Sequence, residues 1–200
     1  MPKYTADIEY IIRPDDMKAM LAECKSIKEQ AILSTLYITG CRPAELLAME
    51  RDDVRLLAQD GRMYLVFSIE RKKLRKGKFH VKKRNLYIKY KPNSLMQNCI
   101  LKYRETLPVG SKLFDIPDRT LRHMIERVSK DALGEDKQLC PYNFRHSRFT
   151  ILAEQGYMPH ELKYIKGADD LRSVEPYLHA RPMEITVKDD GKNSDIILSD

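Results

Sequence analysis

No stretch of this 200-residue chain is apolar for long enough to cross a bilayer, and its opening MPKYTADIEY has no signal-peptide core. A membrane partner is therefore not expected, and the reading is a cytoplasmic protein. Cysteine is scarce and scattered: Cys24, Cys41, Cys99 and Cys140 stand singly, with no C-x-x-C pair. That pattern fits reduced thiols and argues against a disulfide framework or a zinc site. No acidic cluster suited to metal ions is present, which argues against a metal-dependent nuclease. No cofactor is expected, and no internal repeat is visible. The sharpest absence is one of sign. Between Arg71 and Lys91 there is no Asp or Glu, against eleven Lys or Arg residues.

What is present is ordinary in bulk. Hydrophobic residues make up 42% and charged residues 32%, which describes a globular chain, and 200 residues suit one domain with a substantial core. The net charge of +7 matters mainly through its placement. The basic run interleaves with Phe79, Val81, Leu86, Tyr87 and Ile88, so it reads as a basic hairpin and points to a polyanion, nucleic acid foremost. After Tyr177 the balance reverses, through Lys188-Asp189-Asp190 to a final Asp200.

The order of elements is helices, a short sheet, then helices: an α+β chain, mainly α. Pro14-Asp15-Asp16 opens a helix with acids at its positive end. A second helix is expected over 27–37, stopped by Gly40, and a third from Arg42-Pro43 with Leu46, Leu47 and Met49 as its apolar residues. Asp60-Gly61 signals a turn before a strand at 63–67. A second turn at 75–77 leads to a returning strand over 79–90. Helices follow at 94–104, 120–133, 144–155 and 159–165. From 180 onward the chain reads as an irregular tail, with a terminal strand at 196–198.

One ordering of residues carries chemistry. Tyr177 follows Arg145 by 32 residues and Arg42 by 135, with the basic hairpin between the two arginines. Phosphoryl transfer needs positive charge at the non-bridging oxygens, a proton for the leaving oxygen and an attacking group held in line. Two arginines, a lysine and a tyrosine can supply these without metal. Arg42 at a helix start is poorly placed for the helix dipole, unless it pairs with Glu45 or Glu50 or serves a site. A guanidinium can grip two phosphate oxygens at once. Arg145 would be the second arm, near the start of its helix, where backbone amides can add donors. Tyr157 and Tyr164 compete with Tyr177 as nucleophile but suit helix packing.

The run Thr39-Gly40-Cys41-Arg42-Pro43-Ala44-Glu45-Leu46 resembles the first signature of tyrosine recombinases, the phage-type integrases, and the Asp53 that follows matches it too. Asn143-Phe144-Arg145-His146-Ser147 resembles their second. The resemblance covers roughly residues 10–180 and implies a helical catalytic domain with a small antiparallel sheet. It implies a 3′-phosphotyrosyl link through Tyr177, clamped by Arg42 and Arg145. Tyr142 stands where the family carries His, and is assigned an orienting role. Ala168 stands where it carries His or Trp, a loss that weakens orientation of the phosphate or a role that passes to Lys166 or a neighbour. The leaving-group acid is a hairpin lysine, Lys73, with Lys72 and Lys78 as alternatives. Glu45, Asp53 and His146 fall to supporting roles.

The implied organisation is a catalytic domain over 1–180 and a tail over 181–200 that is exchanged between protomers, without the family's N-terminal core-binding domain. The implied partner is double-stranded DNA, bound by a homo-oligomer, dimer or tetramer, associated with the nucleoid if the source is prokaryotic. Two alternatives accompany this reading: DNA relaxation of the type IB topoisomerase kind, and a non-catalytic accessory protein that kept the fold, favoured by Tyr142 and Ala168.

Overall fold

Helix α2 (Ile27–Thr39) is buried at every residue from Ala31 to Thr39, as a helix apolar nearly all round must be. Ser26 caps its start by accepting the Glu29 N–H at 3.2 Å. Gly40 ends it at φ 60°, where an added Cβ would also press on Arg148 and Phe149 at 3.1 Å. The computed structural model describes residues 10–70 and 83–178. In it α2 packs against α4 (Leu95–Glu105) and α6 (Pro141–Glu154), while α1 (Pro14–Ala22) lies on α5 (Asp118–Leu133). Leu33 and Leu36 at this centre are fully buried, each worth roughly 1.5–3 kcal/mol. Among the described residues no helix is long and apolar enough to cross a membrane.

Three antiparallel strands form the sheet in the order β1 (Val54–Gln59), β2 (Arg62–Glu70), β3 (Lys83–Lys89). Asp60 and Gly61 both have positive φ, 50° and 69°, which gives the two-residue hairpin turn whose twist matches its strands. Leu65, Phe67 and Ile69 enter the core, with Val54 and Leu86 opposite Phe67 on either side. The mainly helical fold with a small antiparallel sheet is as expected, but β1 was not. Its sequence, VRLLAQ, lacks alternation because it is an edge strand on which only Val54 is buried.

Most helix ends fall within two residues of the expected bounds, but two helices near the site differ more. Helix α3 (Pro43–Leu46) is a single turn, followed by a 3₁₀ turn (Arg51–Asp53), so Met49 is a core residue outside any helix. Helix α6 begins at Pro141, not at 144, with Asn143 accepting the Cys140 N–H at 3.0 Å. Arg145 is therefore the fifth residue of its helix, beyond the first turn. After α7 (Pro159–Lys166), a 3₁₀ turn (Leu171–Ser173) and α8 (Glu175–Leu178) complete the described chain. Tyr157 sits in the loop before α7, not in a helix. The turn at 75–77, the strand start at 79–82 and the tail with its strand at 196–198 lie outside the described residues.

A second, smaller core joins these last elements. Phe149, Leu152 and Ala153 of α6, Leu162 of α7, Val174 and Tyr177 pack together. This cluster seats α8, and α8 carries Tyr177.

Candidate phosphoryl-transfer site

Arg42 precedes α3, where the chain is extended and its side chain is free to turn back. Its backbone N–H donates to Glu45 Oε2 at 3.0 Å and its Nη1 to Oε1 at 2.8 Å. Glu45 is 2% exposed and takes a second arginine from the sheet: Arg84 Nη2 donates to Oε2 at 3.0 Å. Burial alone would raise the Glu45 carboxyl, but the charge and hydrogen bond of Arg84, with those of Arg42, hold it below its ordinary value. Arg42 keeps 41% of its side chain exposed, so it is braced from behind and open in front. The pairing with Glu45 and a role at the cleft are thus compatible.

Arg145 is 6% exposed and ties two loops together. Its Nη1 donates to the Gly40 carbonyl at 2.6 Å and its Nη2 to the Lys166 carbonyl at 2.9 Å. Burial first, then the neighbouring Arg42 and Arg84, bring its pKa down to about 10, and the group stays charged at neutral pH. Arg84 Nε reaches the Ile165 carbonyl at 3.0 Å. A Cβ on Gly167 would lie 2.6 Å from Arg84 Nη1, and its φ of 61° also asks for glycine. Two buried guanidiniums thus hold the end of α7 against the start of α3.

Tyr142 is half-exposed and stacks on His146 one turn along α6, with ring centres 6.1 Å apart. His146 in turn meets the Tyr177 ring at 5.4 Å. Tyr177 itself is 3% exposed, with Phe149 at 5.7 Å and the Lys166 ammonium 4.5 Å from its ring centre. Burial pushes the phenol up to about 12, Tyr142 adds to the shift and Arg145 opposes it. At neutral pH the phenol is therefore protonated, and it is packed.

A cleft of about 850 Å³ collects most of these groups, with Arg42, Tyr142, Arg145 and Lys166 in its wall. The structure therefore brings Arg42, Tyr142 and Arg145 together, with Tyr177 packed behind Lys166. Lys73, with Lys72 and Lys78, lies outside the described residues. Asp53 is structural, accepting the Glu50 N–H at 3.0 Å and Lys83 Nζ at 3.2 Å. Tyr164 is 55% exposed on the surface. Arg84 was missed in the sequence, although its register marks it: 84, 86 and 88 share one strand face, and Leu86 and Ile88 are apolar. A cation on that face needs a buried partner.

The profile of the phage integrase family matches residues 11–184. The chain belongs to this family. Among its curated relatives, tyrosine recombinase XerC of Treponema denticola is 26% identical over 162 residues, covering 76% of this chain and 52% of the relative. Tyrosine recombinase XerD of Listeria innocua is 22% identical over 191 residues, covering 92% and 62%. The chain thus spans about half to three-fifths of the length of these relatives. Among solved structures, XerA recombinase aligns with TM-score 0.62 at 20% identity, over 90% of this chain and 61% of that one. XerH site-specific recombinase bound to its difH substrate aligns with TM-score 0.63 at 20% identity, over 84% and 50%. These likenesses are ones of fold.

Proposed function

We propose that this integrase-family protein is a site-specific DNA recombinase that cleaves and rejoins duplex DNA through Tyr177. The observation that carries the reading is the cleft in which Arg42 and Arg145 converge, each braced from behind, with Tyr177 packed beside the Lys166 that lines it. In the cleavage step the Tyr177 oxygen attacks the scissile phosphorus. The Oη–P bond forms as the phenolic proton passes to water, and the P–O5′ bond breaks as the 5′-oxygen gains a proton. Arg42 and Arg145 bind the non-bridging oxygens, and Tyr142 orients one of them. The hairpin lysine, Lys73 on the sequence reading, donates to the 5′-oxygen, since an unprotonated alkoxide is a poor leaving group. The reverse reaction rejoins the strand without ATP.

The partner on this reading is double-stranded DNA, held by a dimer or tetramer of the chain. The catalytic unit is 1–180, and 181–200 is a segment exchanged between protomers. The similar Tn1549 transposon integrase, solved in complex with circular intermediate DNA, supports the choice of partner.

Covalent capture tests the reaction. A nicked suicide duplex carrying the native attachment site is incubated with wild type, Tyr177→Phe and Arg42→Ala, then resolved on a denaturing gel. Wild type gives a protein–DNA adduct, Tyr177→Phe gives none, and Arg42→Ala forms it roughly 100-fold more slowly. Binding without any adduct would select the accessory-protein alternative. Relaxation of plasmid with no site requirement would select the topoisomerase alternative.

A further inference from the structure

Lys166 ends α7 inside the cleft. Its ammonium donates to the Ser173 carbonyl and lies 4.5 Å from the centre of the Tyr177 ring and 5.6 Å from that of Phe149. The same side chain shares the cleft wall with Arg42 and Arg145. A lysine half-withdrawn from water beside two guanidiniums is destabilised in its charged form. Burial is the larger cause, and Arg145 from α6 and Arg42 from the head of α3 both repel it, bringing it down to about 8. Two carboxylates stand nearby and both are engaged: Glu45 is shared between Arg42 and Arg84, and Asp118, in the cleft wall, pairs with Arg122 there. The phenol ring of Tyr177 lies under the ammonium, and Tyr142 shares the cleft wall. Among the described residues no carboxylate offsets the two guanidiniums at Lys166, and a bound anion would relieve the repulsion.

We propose that Lys166 is the third cation of this cleft and binds a non-bridging oxygen of the scissile phosphodiester. This rests on the recombinase reading above. An ammonium has three donors, and the Ser173 carbonyl takes one. The others are available to an oxygen between Lys166 and the two arginines. The contact strengthens as negative charge builds on the five-coordinate phosphorus, which is where a fixed donor lowers a barrier most. Ala168, two residues on, has no group for this work.

The bland alternative is that Lys166 only ties the end of α7 to the turn at Ser173. Two measurements separate these roles. In the first, sulfate, which does not titrate in the range used, is added to DNA-free protein while the Lys166 ε-carbon signal is followed by NMR. The free signal titrates near pH 8, moves to higher pH with sulfate, and sulfate binding weakens about tenfold or more in Lys166→Met, a loss typical of one charged hydrogen bond. In the second, suicide-substrate cleavage is measured against pH at subsaturating DNA. Wild type declines above about pH 8 as the ammonium is lost. Lys166→Arg keeps the rate and does not show this decline, whereas Lys166→Met is slower by roughly 100-fold below about pH 8, a gap that closes as wild type declines above it. Lys166→Met with wild-type sulfate affinity and wild-type cleavage would overturn the inference. If wild type binds sulfate through Lys166 and yet never forms an adduct, the recombinase reading falls and the anion site stands.

Discussion

Arg84 shows how much one buried charge can organise. Removing it leaves Glu45 ionised, 2% exposed and with Arg42 alone as its guanidinium partner. Arg84→Met should lower unfolding free energy by about 3–5 kcal/mol, read as a shift in urea midpoint at constant slope. Glu45 gives this a pH signature. Its carboxyl is held below the ordinary value near 4.5, so its contribution is present above that value and lost as pH falls through the lowered one. Glu45→Gln should therefore flatten the acid limb of the stability profile below about pH 4.5, while unchanged acid sensitivity would contradict the pairing. At this scale the sequence singles out Arg42, Arg145 and Tyr177 because they stand in ordered motifs, and the structure places the two arginines in one cleft with Tyr177 beside Lys166. Arg84 was one of eleven basic residues in a run, and only its register, visible once β3 is placed, sets it apart. The burial of Tyr177 was not legible either, because it depends on Phe149, Leu162 and Val174 meeting from three elements.

Elements with a strong local signal were the ones read correctly. Ser26 and Gly40 bracket α2, and Asp60-Gly61 makes its turn. The element that was missed, β1, owes its existence to pairing with β2, since five of its six residues are not buried. Helix α8 is a single turn that no periodicity could announce, and it is held by the small core under it. Phe149 supports both Tyr177 and Arg145, with ring contacts at 5.7 Å and 5.1 Å. Phe149→Ala should cost about 3–5 kcal/mol in urea unfolding and slow adduct formation even where the protein is still folded. Phe149→Leu should restore most of both. Full cleavage activity in a folded Phe149→Ala protein would mean that the seat of α8 does not matter to the reaction.

For the molecule as a whole, the charge pattern argues for a DNA grip that is mostly electrostatic. With six or more phosphate contacts, affinity for a duplex should fall roughly a thousandfold between about 50 and 200 mM salt, measured by fluorescence anisotropy. A flat salt response would remove the polyanion reading of the basic run. Deletion of 182–200 tests the exchanged segment: it should reduce assembly on DNA or cleavage, and unchanged behaviour in both would show that assembly needs nothing from it. The most direct test of the central claim is the chemical identity of the adduct. The protein captured on a nicked attachment site is digested, and the nucleotide-bearing peptide is sequenced by mass spectrometry. The account predicts a phosphodiester from the Tyr177 oxygen to a DNA 3′ end, with a free 5′-hydroxyl across the break. A link at any other residue, or strand breaks that carry no protein, would contradict it.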